Sequence, residues 1–196
     1  MESIIAGIAN VEGVINYKGY ENDTGETDSN GLPEHSICCV VYGGDSAKIA
    51  EAIRIKKAPG SLTWGGADSN NVTIPTVDAY GTPQNISFRR PTLVNAEIRI
   101  TIQTKKGWTA YAEFLVKKAL AERVDLLTIG DSFYLSEVTA EVQKQCGYET
   151  TNRTYYVTKV ETRQMGGSIW TESGFAIAYD ELLILDAETN VSFIIL

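Results

Sequence analysis

Residues 97–104 alternate: Ile98, Ile100 and Ile102 are separated by Arg99, Thr101 and Gln103. Successive strand residues face opposite sides, so this period of two predicts a strand with one face on a core and the other in water. Residues 36–42 (Ser-Ile-Cys-Cys-Val-Val-Tyr) form a continuous apolar run, the pattern of a buried strand. Further strands are predicted over 14–20, 72–78, 85–89, 155–162 and within 168–178. Residues 182–185 and 191–196 flank Asp186-Ala-Glu-Thr-Asn190, which predicts a hairpin with a five-residue loop. The last segment, Val191-Ser-Phe-Ile-Ile-Leu196, is uncharged and strongly β-forming, so it needs a pairing partner in this chain or a neighbouring one.

Helical spacing appears in four places. Ile4, Ile5 and Ile8 mark a short amphipathic helix over 2–10. After Gly43-Gly44, Asp45 or Ser46 is an N-cap for a helix with Ala47, Ile49, Ala50 and Ile53 on its apolar side. Lys56 and Lys57 sit at its negative end, and Pro59-Gly60 stops it. A third helix is predicted over 108–124, with Tyr111, Leu115 and Ala119 on one stripe and Glu113 four residues before Lys117. The fourth runs from a cap at Asp131 or Ser132 to Cys146, with Leu135, Val138 and Val142 inward and Gly147 as terminator.

All five prolines and eleven of the seventeen glycines fall in residues 1–91, and the following 105 residues contain no proline. The shift predicts two small α+β domains, 1–91 and 92–196, each with a mixed or antiparallel sheet packed with one or two helices. No apolar run approaches the ~18 residues of a membrane helix, and Met1-Glu2-Ser3 does not open a signal peptide, so a soluble intracellular product is expected. Seventeen Lys and Arg against twenty-five Asp and Glu give a net charge of −8, shared as −4 and −4 between the two parts. Nucleic-acid affinity rests mostly on cations meeting phosphates, so nucleic acid is not an expected partner.

Candidate chemistry is sparse. His35 is the one histidine, so any Ser–His or Cys–His mechanism has to use it. Cys38, Cys39 and Cys146 have no metal-ligand spacing and read as reduced small hydrophobes, with at most one of the adjacent pair in a core. Gly43-Gly44-Asp45 lies where an anion could meet a helix N-terminus, but it holds no base and Asp45 opposes a phosphate. The loop over 21–34 carries five acids. Glu26, Asp28, Asn30 and Gly31 follow the opening of a calcium loop, which then fails where Ile37 falls on the bidentate-Glu position. Glu137 and Glu141 read as surface charge. No residue is therefore assigned a catalytic, cofactor-binding or metal-binding role.

Several segments together resemble the baseplate J-like family of contractile-tailed phages. They are Leu32-Pro-Glu-His-Ser36, Gly43-Gly-Asp45, Ile49-Ala-Glu-Ala-Ile53 and Lys56-Lys-Ala-Pro-Gly60. Tyr20-Glu-Asn-Asp-Thr24, Ile86-Ser-Phe-Arg-Arg-Pro-Thr92, Ile129-Gly-Asp-Ser132 and the terminal strands are also similar to it. The likeness is strongest over 11–92. Family members usually carry a further N-terminal region, so this chain looks like a C-terminal portion. The resemblance implies a non-catalytic wedge component of a tail baseplate, made in the bacterial cytoplasm and carried in the virion, with other wedge proteins, and itself, as partners. The isolated chain is expected to be a monomer. A tailocin-like contractile machine is the equivalent setting. The competing expectation is a tail-associated module that binds a glycan or another ligand through Trp64 or Trp170.

Overall fold

The computed structural model describes residues 1–146 and 153–196. It is an α+β fold that divides into two compact units, Met1–Thr92 and Leu93–Leu196. No helix among the described residues is long and apolar enough to cross a membrane.

The first unit opens with α1 (Glu2–Ala9), whose Ile4 and Ile8 are buried, followed by β1 (Val14–Asn22) and β2 (Ser36–Gly43). After β2 come α2 (Ser46–Lys56), the two-residue β3 (Leu62–Thr63), β4 (Asn71–Val77) and β5 (Pro83–Arg89). The strands form a mixed sheet ordered β1-β2-β5-β4, with β3 also on β2. β1 and β2 are antiparallel, β2 is parallel to β3 and β5, and β4 is antiparallel to β5. α1 packs on α2 and β1, and α2 packs on β4 and β5. Ile37, Cys39 and Val41 of β2 meet Ile4, Ile8, Ile49, Ala50 and Ile53 in one core with Ile86 and Phe88.

Asp45 is the N-cap of α2, its carboxylate accepting from Lys48 N–H at 2.9 Å. The inward side of α2 is Ile49, Ala50 and Ile53; Ala47, expected among them, is exposed because it lies on the outer side of the first turn. Cys38 and Cys39 are both buried, which corrects the expectation that only one joins a core: both faces of β2 are covered along residues 36–41.

The second unit starts on β6 (Thr92–Thr104), a 13-residue strand longer than the alternation at 97–104 marks. It continues with α3 (Ala110–Asp125), β7 (Phe133–Tyr134), α4 (Leu135–Lys144), β8 (Tyr155–Gln164), β9 (Gly174–Phe175), β10 (Glu181–Ile184), α5 (Ala187–Asn190) and β11 (Val191–Ile195). β6 is the centre of the sheet. β8 pairs with it antiparallel, β11 parallel, and β10 also bonds to it. Ile98, Ile100 and Ile102 are fully buried and share a core with Val116, Leu120 and Val124 of α3 and Val138 and Val142 of α4.

Three expectations are corrected here. The core stripe of α3 is Val116-Leu120-Val124; Tyr111 is exposed, and Leu115 and Ala119 are partly covered, because the packed face lies one residue further along. α4 begins four residues after Asp131, whose carboxylate accepts instead from Thr128 N–H and Oγ1. Phe133 and Tyr134 pair with β9, and Glu137 reaches back to Tyr134 N–H at the start of α4. The terminal hairpin is not formed. Asp186 caps a helical turn over its five-residue loop, and β10 and β11 each bond to β6. Gly147, expected to end α4, lies outside the described residues.

Candidate functional site

Gly43 and Gly44 leave β2 with φ of 79° and 70°, in the left-handed region where a side chain is strained. A Cβ on Gly43 would also strike the Gly13 carbonyl. The turn presents its carbonyls to a cation. Arg90 donates through Nη1 to the Val41 and Gly43 carbonyls, and through Nη2 to the Gly44 carbonyl at 3.0 Å and Ser46 Oγ at 2.9 Å. Its guanidinium stands 5.1 Å from the Phe88 ring centroid. Burial pulls the Arg90 guanidinium below its usual pKa, with Asp45 opposing. A strand-to-helix turn that binds an anion offers N–H groups. This one offers carbonyls, and the chain's own arginine fills them.

The neighbouring Arg89 does similar work. It is 6% exposed and forms a two-pronged pair with Asp68, at 2.8 and 2.6 Å, while also donating to the Gly65 carbonyl at 3.2 Å. The Arg89 hydrogen bond, with help from the Asn70 N–H, holds the Asp68 carboxyl below its ordinary range. Gly65 is needed because a Cβ there would collide with Asn71 and the Phe88 carbonyl. Trp64 is partly covered in this loop and its backbone N–H donates to the Ile37 carbonyl at 2.8 Å.

The acidic loop is organised by a buried amide. Asn22, 3% exposed at the end of β1, donates to the carbonyls of Glu26, Leu32 and Pro33, and accepts from Thr24 N–H and Oγ1. Asp28 turns one carboxylate oxygen onto Asn30 N–H and Leu32 N–H at 2.8 and 2.9 Å, and Ile37 is buried in β2. Of the calcium-like alignment, Asp28 is thus engaged within its own loop. Among the described residues no group of three or more His, Cys, Asp and Glu is placed to hold a metal.

His35 borders a cleft of about 330 Å³ lined by Glu21, Asp23, Ser36, Pro59 and Ser61 among others. The cleft brings Leu32–Ser36 beside the end of Lys56–Gly60. His35 has φ of 50° because the chain is held on both sides: Asn22 takes the Pro33 carbonyl and Leu62 N–H takes that of His35. Ser36 Oγ donates to the Pro33 carbonyl at 2.6 Å, so its proton is directed at a backbone acceptor rather than an imidazole. Cys39 is no better placed as a nucleophile, since burial pushes its thiol up to about 12.

In the second unit the outer face of β6 and β8 carries a charge ladder. Glu161, 8% exposed, receives Arg99 at 2.9 Å and Lys159 at 2.8 Å; Lys159 also meets Glu172 at 3.3 Å, and Arg163 pairs with Glu97. The Lys159 and Arg99 hydrogen bonds hold the Glu161 carboxyl below its usual range. Trp170 lies on this ladder, with Arg99 and Arg163 4.4 and 4.3 Å from its ring centroid. Glu137 and Glu141 are paired with Arg123 and Lys144.

Arg90, Arg89 and Asn22 were not marked by the sequence as carrying a role. Most of their acceptors are backbone carbonyls, which have no residue signature, and those of Arg89 and Arg90 lie 21 to 49 residues away. The chain matches no protein-family model and no curated protein.

Proposed function

We propose that this chain is a structural component of a contractile phage tail baseplate, acting as a wedge-type assembly part without catalysis. The observation that carries the reading is how the residues of the resemblance are used. Arg90 of the Phe-Arg-Arg-Pro step donates into the Gly-Gly-Asp turn, and Asn22 of the Glu-Asn-Asp-Thr step binds the Leu-Pro segment. These polar groups frame the first unit internally, as suits a part that works by shape. Apolar side chains meanwhile face outward, among them Leu126 at 76%, Ile169 at 73% and Leu196 at 70% exposure. The test is to purify contractile particles from the cells that make this protein, digest them, and locate it by mass spectrometry and antibody-labelled electron microscopy. The proposal expects its peptides at fixed stoichiometry and label at the baseplate end of the tail. Particles that contract normally and lack the protein would overturn it.

A further inference from the structure

Of the ten asparagines in the chain only Asn30 precedes a glycine; the other nine precede Val, Tyr, Asp, Asn, Ile, Ala or Arg. An asparagine side-chain amide is an electrophile for the backbone nitrogen of the next residue, and closure between them gives a cyclic imide. A side chain on that next residue obstructs the approach. Gly31 has none, its φ is 79°, and the space where a Cβ would stand is open. Asn30 and Gly31 are both exposed, and the Asn30 side-chain amide has no hydrogen-bond partner among the described residues. The backbone around them, by contrast, is held by Asp28. Gly31 N–H donates to the Asp28 carbonyl at 3.0 Å, and Asp28 N–H donates to the Leu32 carbonyl at 3.1 Å. One Asp28 carboxylate oxygen accepts from Asn30 N–H and Leu32 N–H. Leu32 is fully buried and Asn22 also holds its carbonyl, so the turn hangs from a fixed point.

We infer that Asn30 is a self-modifying site whose rate Asp28 restrains. In the step, the Gly31 nitrogen loses its proton and attacks Asn30 Cγ. The N–Cγ bond forms, the Cγ–Nδ2 bond breaks, and the side-chain nitrogen takes up a proton and leaves as ammonia. Water then opens the imide. Addition at Cγ restores the chain with aspartate, and addition at the backbone carbonyl carbon leaves isoaspartate. Nothing is oxidised or reduced, and water is the one co-reactant. Asp28 opposes the attack because Gly31 N–H must leave the Asp28 carbonyl, and the turn must loosen, before the nitrogen reaches Cγ. Either product adds a carboxylate to a loop that already holds five acids and no Lys or Arg. Isoaspartate also lengthens the backbone inside the turn. This inference rests on the bonds of the loop, and holds whether or not the chain belongs to a tail.

The test is to incubate the chain in mildly alkaline buffer, with and without unfolding urea, and follow each asparagine by peptide mass spectrometry that distinguishes isoaspartate. The folded wild-type chain is expected to convert at Asn30 ahead of every other asparagine, and more slowly than in urea. Asp28→Ala frees the Asn30 and Leu32 N–H groups, so the folded variant should convert at least ~5-fold faster. In urea the two chains should convert at one rate, which separates the folded turn from an effect of local sequence. Asp28→Asn keeps an acceptor oxygen and should stay nearer the wild-type rate. Asn30 intact in the folded chain while urea converts it, or another asparagine converting first, would overturn the inference. So would a folded Asp28→Ala no faster than wild type, or equally faster in urea. Should Asp28→Ala lose its circular dichroism, the wild-type chain decides: equal rates folded and in urea would show that the turn restrains nothing.

Discussion

The two units reach their folds by different means. In the second, a regular alternation does most of the work: one long strand presents three fully buried isoleucines to two helices, and its outer face is tied by ion pairs between side chains. In the first, side chains bind backbone. Arg89 and Arg90 reach carbonyls 24 to 49 residues away, Asn22 reaches three carbonyls across its own loop, and together they hold turns that no regular element would hold. A polar substitution should therefore be costly in the first unit, as an apolar one is in the second. It also follows that the residues most recognisable in sequence, the glycine turns and the arginine pair at the end of β5, mark places where backbone is constrained.

The largest effect is expected in the second unit. Ile100→Ala removes a fully buried side chain from the centre of β6 and should lower stability by about 3–5 kcal/mol, read by urea unfolding with Trp108 and Trp170 as probes. A loss under about 1 kcal/mol would break the claim that this strand organises the core. Next comes Arg90→Ala, which leaves the carbonyls of residues 41, 43 and 44 without their donor and should cost about 2–3 kcal/mol. Arg90→Lys should recover less than half of that, since one ammonium cannot span four acceptors set for a fork. Asn22→Ala, which loses three donated bonds, should cost about 2 kcal/mol and open the acidic loop to proteolysis between residues 23 and 31.

The smallest effect concerns pH. Glu161 and Asp68 have folded pKa values held below the ordinary carboxylate range, so their contribution is fully present above about pH 4 and is lost as pH falls through the folded values. Thermal denaturation of the wild-type chain should thus shift downward on acidification below pH ~4, and Glu161→Gln should flatten part of that shift. An identical acid profile for the variant would show that the ladder on β6 and β8 contributes nothing to the comparison.

Legibility followed closeness in sequence in both units. The alternation at 97–104, the apolar run at 36–42 and the Asp45 cap were readable because each depends on neighbours in sequence. Asp131 misled because an N-cap and an Asx-type turn demand the same residue, and only the surrounding chain decides which carbonyls and amides it meets. The terminal hairpin failed because β6 is long enough to bond both β10 and β11, a fact of pairing that loop length does not carry. Cys38 escaped because cover on the second face of β2 is invisible to a period-two argument. At the candidate site, the motif segments could be named, but Arg90 as their fastener could not, since its partners are mainly carbonyls some 44 to 49 residues away.

That fastener is the centre of the account, and amide hydrogen exchange on Arg90→Ala tests it most directly. If Arg90 locks the turn between β2 and α2, protection should fall at residues 41–50 while Ile98–Ile102 of β6 keep theirs. Unchanged protection across 41–50 in a folded variant would contradict the claim and leave the arginine free for some other role.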